Sequence, residues 1–405
     1  MQEALVSSTR VTDWQAVEQR LYMRTYGRRP VTLVRGDGVY VWDDQGKEYL
    51  DFVAGVAVNA LGHCHPALVQ AITEQARLLI HTSNLYYTVP QLQLAEVLLQ
   101  QAGLDRIFYT NSGAEAMETC IKLARKYGKL HRNGAYEIIV MTGAFHGRTL
   151  ATVTATANPH YSEPFAPLPE GFVRVPFNDL EAARRAVSDK TVGIMLELVQ
   201  GEGGVWPADE EYVRGLRRLC DEHGLLLILD EVQTGIGRTG TFYAFQQYGI
   251  KPDIMGLAKQ LGGGLPIGAC LATEQASVFT PGDHGSTFTG SPLMCAGALA
   301  VVNTILEQDL VGNARRVGAY LFQALERLKQ RHRLVAGARG RGLLLALQLT
   351  EDRARAVEDL ALAKGLLVNA VSASAVRLVP PLIVTEKQCD RAVEILDECL
   401  TELEA

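Results

Sequence analysis

At 405 residues the chain can bury a sizeable core and form two or more domains, and its 47% apolar and 21% charged composition excludes a disordered or fibrous protein. A net charge of −6 argues against nucleic acid as the partner, because phosphate backbones are held by clustered Lys and Arg. The seven cysteines are dispersed without a CxxC pair, which suits reduced thiols rather than a disulfide framework.

The N-terminal stretch MQEALVSSTRVTDWQAVEQR lacks the apolar segment of a signal peptide. Aliphatic runs such as 225-LLLIL-229 fall far short of the roughly 20 residues that span a bilayer. The expectation is a cytoplasmic protein with no membrane partner. Residues 39-VYVWDDQGKEYLDF-52 alternate like a β-hairpin. In 63-HCHP-66, His63 and His65 would share a face of a strand, but no second pair of ligands follows at metal spacing, and Pro66 suits the first turn of a helix. No metal is expected.

From about residue 105 to 275, short apolar runs alternate with amphipathic segments: 107-IFYT-110, 138-IIVM-141, 172-FVRVPF-177, 192-VGIMLELV-199, 225-LLLILDEV-232, 253-DIMGLAK-259 and 267-IGACLAT-273. Such near-continuous apolar strands predict a mainly parallel sheet covered by helices, the α/β class. Beyond residue 300 the pattern changes to helices around Leu321–Leu328 and Ala392–Leu403, with strands at 343-LLLALQL-349 and 376-VRLV-379. This predicts a large domain over 61–304 and a smaller α+β domain built from 1–60 and 305–405.

Open α/β sheets bind ligands beyond the carboxyl ends of their strands, and four such ends carry polar or reactive groups. After 107-IFYT, Ser112, Gly113 and Ala114 open a helix whose free N–H groups and dipole suit a phosphate; an ordinary cap reads the same way. After 138-IIVM comes 143-GAFHGRTLAT-152, with Phe145 and Arg148. The run 225-LLLIL ends in Asp230, a carboxylate that demands a cation or a set of donors; a structural ion pair with an arginine such as Arg238 would also satisfy it. Finally, Lys259 stands between an apolar run and three glycines. Burial would lower its pKa toward the neutral amine that condenses with carbonyls, although a lysine there can also snorkel to solvent.

Pyridoxal phosphate explains all four ends together. It requires a phosphate seat, an acid facing a cationic ring nitrogen, an aromatic side chain to stack and a lysine to form a Schiff base.

The sequence 230-DEVQTGIGRTG-240, followed by 258-AKQLGGGLPIG-268, resembles the signature of the class III (ω-amino acid) pyridoxal-phosphate aminotransferases of fold type I. The resemblance runs from 24-RTYGRRPVTLVRGDGVYVWDDQGKEYLDF-52 through 61-LGHCHP-66 and 82-TSNLYYTVPQ-91 to 376-VRLVPPLIVT-385, and is closest to the branch acting on acetylornithine.

It implies that Lys259 carries the cofactor and shuttles protons, that Gly113 and Ala114 bind phosphate and that Phe145 stacks on the ring. Asp230 would pair with the ring nitrogen, and Gln233 would contact the ring hydroxyl. In 284-HGSTFTGSP-292, the resemblance implies that Thr287 reaches the phosphate of a neighbouring subunit and that Ser286 lies by the substrate, so that the sites of a homodimer are shared. Arg148 resembles the arginine that binds the substrate carboxylate, Arg377 the one that binds the α-carboxylate of glutamate and 2-oxoglutarate, and Glu202 the acid that masks Arg377. Leu198 stands where the family commonly has proline, which leaves Glu197 without an assigned role.

The implied activity is transfer of the δ-amine of N2-acetylornithine to 2-oxoglutarate. Ornithine, succinylornithine or a carrier-linked lysine would fit the same machinery, and an aminomutase or decarboxylase would use the same cofactor. A nucleotide-binding module lacks its motifs here: there is no GxxxxGK[ST] loop, and 262-GGGLPIG-268 has no strand-GxGxxG-helix context.

Overall fold

The computed structural model describes residues 13–405. Seven strands form the central sheet, in the order 106–110, 268–272, 254–257, 226–230, 191–197, 137–141 and 172–175. The pairings among the last five are parallel, whereas Gly268–Ala272 runs antiparallel to both of its neighbours. The mainly parallel sheet expected from the apolar runs is present, with one reversed strand. Ile254–Leu257 leads into Gly268–Ala272 through a short turn, without a crossover helix. The glycines at 262–264 close that turn: a Cβ on Gly262 would sit 2.1 Å from the Leu265 carbonyl oxygen, and Gly263 and Gly264 have φ of 57° and 120°. Their small size serves the chain reversal.

Leu226–Asp230 and Thr191–Glu197 are buried at every position, which is why both read as continuous apolar runs. The helix Gly113–His131 begins where the Ser112 side chain accepts the Glu115 N–H, and it lays Met117, Ile121 and Ala124 on the sheet. Met117 and Ile121 each contribute about 1.5–3 kcal/mol by leaving water, and Ala124 less.

The 39–52 segment forms the expected hairpin, with Tyr40–Asp43 antiparallel to Glu48–Asp51. Glu48–Asp51 also pairs in parallel with Leu366–Leu367, so strands from both parts of the chain share one sheet. A second four-stranded sheet is built from 335–341, 344–349, 375–378 and 369–372. The helices Leu310–Leu328 and Glu386–Glu404 pack with it, covering the regions expected to be helical. His63 Nε2 meets Asp51 Oδ2 at 2.8 Å, and His65 caps the helix Pro66–Leu78 by accepting the Ala67 N–H. Among the described residues, no single helix is long and apolar enough to cross a membrane.

Candidate active site

A cavity of about 340 Å³ lies beyond the carboxyl ends of the strands. Ser112, Gly113, Ala114, Phe145, Arg148, Asp230, Gln233 and Lys259 all line it, so the four strand ends converge. A larger hollow of about 680 Å³ beside the helix Trp14–Leu21 is lined by residues 14–32 and holds none of these groups.

Lys259 follows the strand rather than lying on it, and opens a short 3₁₀ turn with φ of 42°. A left-handed lysine costs on the order of 1 kcal/mol, the kind of local strain that collects at functional sites. Its Nζ makes no hydrogen bond or ion pair among the described residues. Burial lowers its pKa, and the carboxylates of Glu202, Asp230 and Glu197 oppose that shift only in part.

Asp230 is 4% exposed at the end of its strand. Its partner is His146, whose Nδ1 lies 2.8 Å from Asp230 Oδ2, while the Val232 N–H donates to Oδ1 at 3.0 Å. Arg238, the alternative partner, is fully buried elsewhere and donates to the carbonyls of Leu343 and Pro380. Burial opposes a charge on His146, but the bond to Asp230 and the nearby carboxylates outweigh it and hold its pKa above the ordinary value. His146 Nε2 is buried without a partner. Residues 145 and 146 are adjacent, but nothing in their spacing announces a histidine under the acid.

The first N–H groups of the helix Gly113–His131, on Gly113 and Ala114, make no bond within the described chain and face the cavity. A Cβ on Gly113 would meet Val232 Cγ1 at 2.7 Å, so only glycine leaves this seat its present shape. Asn111 reinforces the helix start, its N–H and Nδ2 both donating to Glu115 Oε2.

Behind Gln233 lies a second polar group. Arg377, 1% exposed, donates through Nη1 to Glu202 Oε1 at 2.6 Å, to the Gly201 carbonyl at 3.0 Å and to Gln233 Oε1 at 3.2 Å. Burial raises the pKa of Glu202, but Arg377 and Lys259 more than reverse this and keep it a carboxylate. Glu197 ties two loops together by accepting the N–H of Phe145 at 2.9 Å and of Gly201 at 3.1 Å. Burial and the charge of Asp230 push its pKa up to about 7.

Ser286 and Thr287 do not line the cavity of their own chain. Ser286 Oγ accepts from Asn111 Nδ2 at 3.2 Å, and Ser286 and Thr287 are both exposed.

A family model for class III aminotransferases matches residues 21–400. The chain is 50% identical over 387 residues to an acetylornithine aminotransferase of Caldanaerobacter subterraneus subsp. tengcongensis, covering 95% of this chain and 98% of that protein. It is 52% identical over 389 residues to one of Gloeobacter violaceus, covering 96% and 97%. Among solved structures, the acetylornithine aminotransferase of Elizabethkingia anophelis superposes with a TM-score of 0.87 at 36% identity, covering 96% of this chain and 98% of that one. An ornithine aminotransferase of Toxoplasma gondii, described with partial occupancy of PLP at its active site, gives 0.93 at 31%, covering 97% and 94%.

Proposed function

The chain belongs to the class III aminotransferases, pyridoxal-phosphate enzymes of fold type I, and we propose that it transfers the δ-amine of N2-acetyl-L-ornithine to 2-oxoglutarate. The products are N-acetyl-L-glutamate 5-semialdehyde and L-glutamate, a step of amino-acid biosynthesis leading to arginine. The observation that carries this reading is an unpartnered Lys259 amine in one cavity with Asp230 and a free helix N-terminus.

The residues fit the cofactor. The unbonded N–H groups of Gly113 and Ala114, with Ser112, would hold its phosphate; Asp230, kept in place by His146, would meet its ring nitrogen; Phe145 would cover one ring face and Gln233 would reach the ring hydroxyl. When bound, pyridoxal phosphate supplies an electron-accepting ring that stabilises the carbon from which the amine substrate loses a proton.

Lys259 Nζ would hold the cofactor between turnovers and, once freed, would take the proton from the δ-carbon of the substrate amine. Arg148 binds the α-carboxylate of the acylated substrate. Arg377 binds the α-carboxylate of glutamate or 2-oxoglutarate, and Glu202 neutralises Arg377 while the acylated amine is bound. A carboxylate that can leave one buried arginine lets a single pocket serve two substrates of different charge.

The reading extends to a homodimer in which Ser286 and Thr287 reach the neighbouring site. Leu85, Tyr86 and Tyr87 are 83%, 68% and 93% exposed, and Phe288 is 66% exposed. The two segments form one patch, since Asn84 Nδ2 donates to the Thr289 carbonyl at 2.8 Å and His81 packs on Phe288. An apolar patch of this kind suits a second copy of the chain.

The large domain would span 61–304 and the small domain 1–60 with 305–405, a division supported by the pairing of Glu48–Asp51 with Leu366–Leu367; residues 1–12 lie outside the described residues. Seven free thiols suit a cytoplasmic setting.

The test is a panel of initial rates with 2-oxoglutarate and acetylornithine, ornithine, succinylornithine or a carrier-linked lysine. Acetylornithine is expected to give the highest kcat/KM. A higher value for any other amine overturns the substrate assignment while leaving the chemistry intact.

A further inference from the structure

Arg148 is exposed at the cavity mouth and makes no hydrogen bond or ion pair among the described residues. An arginine in that position would ordinarily be spread over many rotamers, and ordering it on binding costs up to about 2 kcal/mol. Here it is already held: its guanidinium carbon lies 3.6 Å from the ring centroid of Tyr161 and 5.4 Å from that of Phe145. A guanidinium lying on an aromatic face keeps its N–H edge free, and that edge grips a carboxylate in a two-pronged fashion.

Tyr161 is itself fixed to the same turn. Thr142 and Ala157 form a parallel bridge, and the His146 N–H donates to Thr156 Oγ1 at 2.8 Å. The Tyr161 N–H donates to the Asn158 carbonyl at 3.1 Å, and Asn158 Oδ1 accepts the His160 N–H at 3.1 Å. On the other side, Gly147 turns the chain with φ of 135°, and a Cβ there would lie 2.6 Å from Thr152 Oγ1 and 2.9 Å from Ala114 Cβ. Arg148 and Tyr161 therefore leave two ends of one clamped segment and meet face to face.

We propose that Tyr161 is a positioning residue for substrate choice: its ring holds Arg148 in the orientation that receives the carboxylate of the acylated amine. The proposal rests on the reading of Arg148 as that carboxylate's anchor. Only the ring face is used, so the hydroxyl is dispensable. The preference for an amine substrate whose far end carries a carboxylate is thereby set in part by a residue that does not touch it.

The test compares Tyr161→Leu, Tyr161→Phe and Arg148→Leu in the two half-reactions. A cation–π contact of about 0.5–2 kcal/mol corresponds to roughly 2- to 30-fold in affinity. Tyr161→Leu should raise KM for acetylornithine about tenfold, with kcat and the KM for glutamate held within about twofold, and Tyr161→Phe should restore the parent KM. The affinity of the cofactor-loaded enzyme for 2-acetamidopentanoate, which has the carboxylate but no amine, should fall in parallel when measured by calorimetry.

If Tyr161→Leu lowers thermal stability, Tyr161→Gln replaces it. Unchanged acetylornithine KM in Tyr161→Leu beside an impaired Arg148→Leu overturns the positioning role alone, as does a Tyr161→Phe variant as weak as Tyr161→Leu. Unchanged KM in Arg148→Leu overturns the anchor reading, and this proposal with it.

Discussion

Arg377 Nη1 donates to Glu202 Oε1 over 2.6 Å, and Gln233, which lines the cofactor cavity, bonds to both partners. Arg377, proposed above to bind the dicarboxylate, is therefore neutralised by a residue one side chain away from Gln233 in the cavity. Arg377 is buried but Glu202 keeps 32% of its side chain exposed, so removing Glu202 leaves the arginine uncompensated at a cost below that of a fully buried pair, about 3–5 kcal/mol.

Glu202→Gln should consequently bias the enzyme toward glutamate. Its amide still accepts one bond from Arg377 but no longer cancels the charge, so the KM for 2-oxoglutarate should fall, and the single-turnover rate with acetylornithine should drop at least about tenfold. Rapid-mixing measurements of each half-reaction check this; equal changes in both would contradict a gate.

Asp230→Asn removes the charge that would face the ring nitrogen under the proposed reading while keeping the shape. Loss of one preorganised electrostatic contact costs about 2.7–4 kcal/mol, so kcat should fall by roughly 10²- to 10³-fold in both half-reactions. Absorbance of the bound cofactor should persist. His146 Nδ1, 2.8 Å from Asp230 Oδ2, would lose the partner that raises its pKa, and the effect should appear in the pH profile of the remaining activity.

Glu231 gives a stability test remote from turnover. It is 1% exposed, accepts the N–H groups of Ala244 and Phe245 at 2.8 Å each, and has its pKa pushed up by burial to about 7. A carboxyl whose folded pKa exceeds its unfolded value takes up a proton on folding, so its contribution is full below the unfolded pKa and is lost as pH rises through 7. The span is worth about 3 kcal/mol. Thermal denaturation between pH 5 and 8 should show a flatter pH dependence for Glu231→Gln than for the parent; identical slopes would contradict the assignment.

Subunit sharing predicts complementation. Thr287→Ala should weaken cofactor binding by about 1.5–3 kcal/mol, the worth of a hydrogen bond to a charged group. Co-refolded with Lys259→Ala, it should regain activity, because one site of the mixed dimer then has Lys259 from one chain and Thr287 from the other. Mixtures no more active than their components would contradict a shared site.

Much of this site was legible because it uses strand ends. A leucine run that stops at Asp230, a lysine after a buried strand and a small-residue helix start after 107-IFYT each break a local rule of burial or capping. Pairings across the sheet were not legible. Asp230 met His146 rather than Arg238, since which cation lies above an acid depends on which strands are neighbours. The reversed strand Gly268–Ala272 was hidden for a related reason: a strand buried throughout is apolar at every position whichever way it runs. Glu197 gained its contacts to Phe145 and Gly201 only through folding, and neither spacing nor composition marks them.

The most direct measurement is borohydride reduction of the cofactor-loaded enzyme followed by peptide mapping. The label should fall on Lys259 alone, at one equivalent per chain. A label on another lysine, or none on fully loaded protein, would contradict the placement of the cofactor between Lys259 and Asp230.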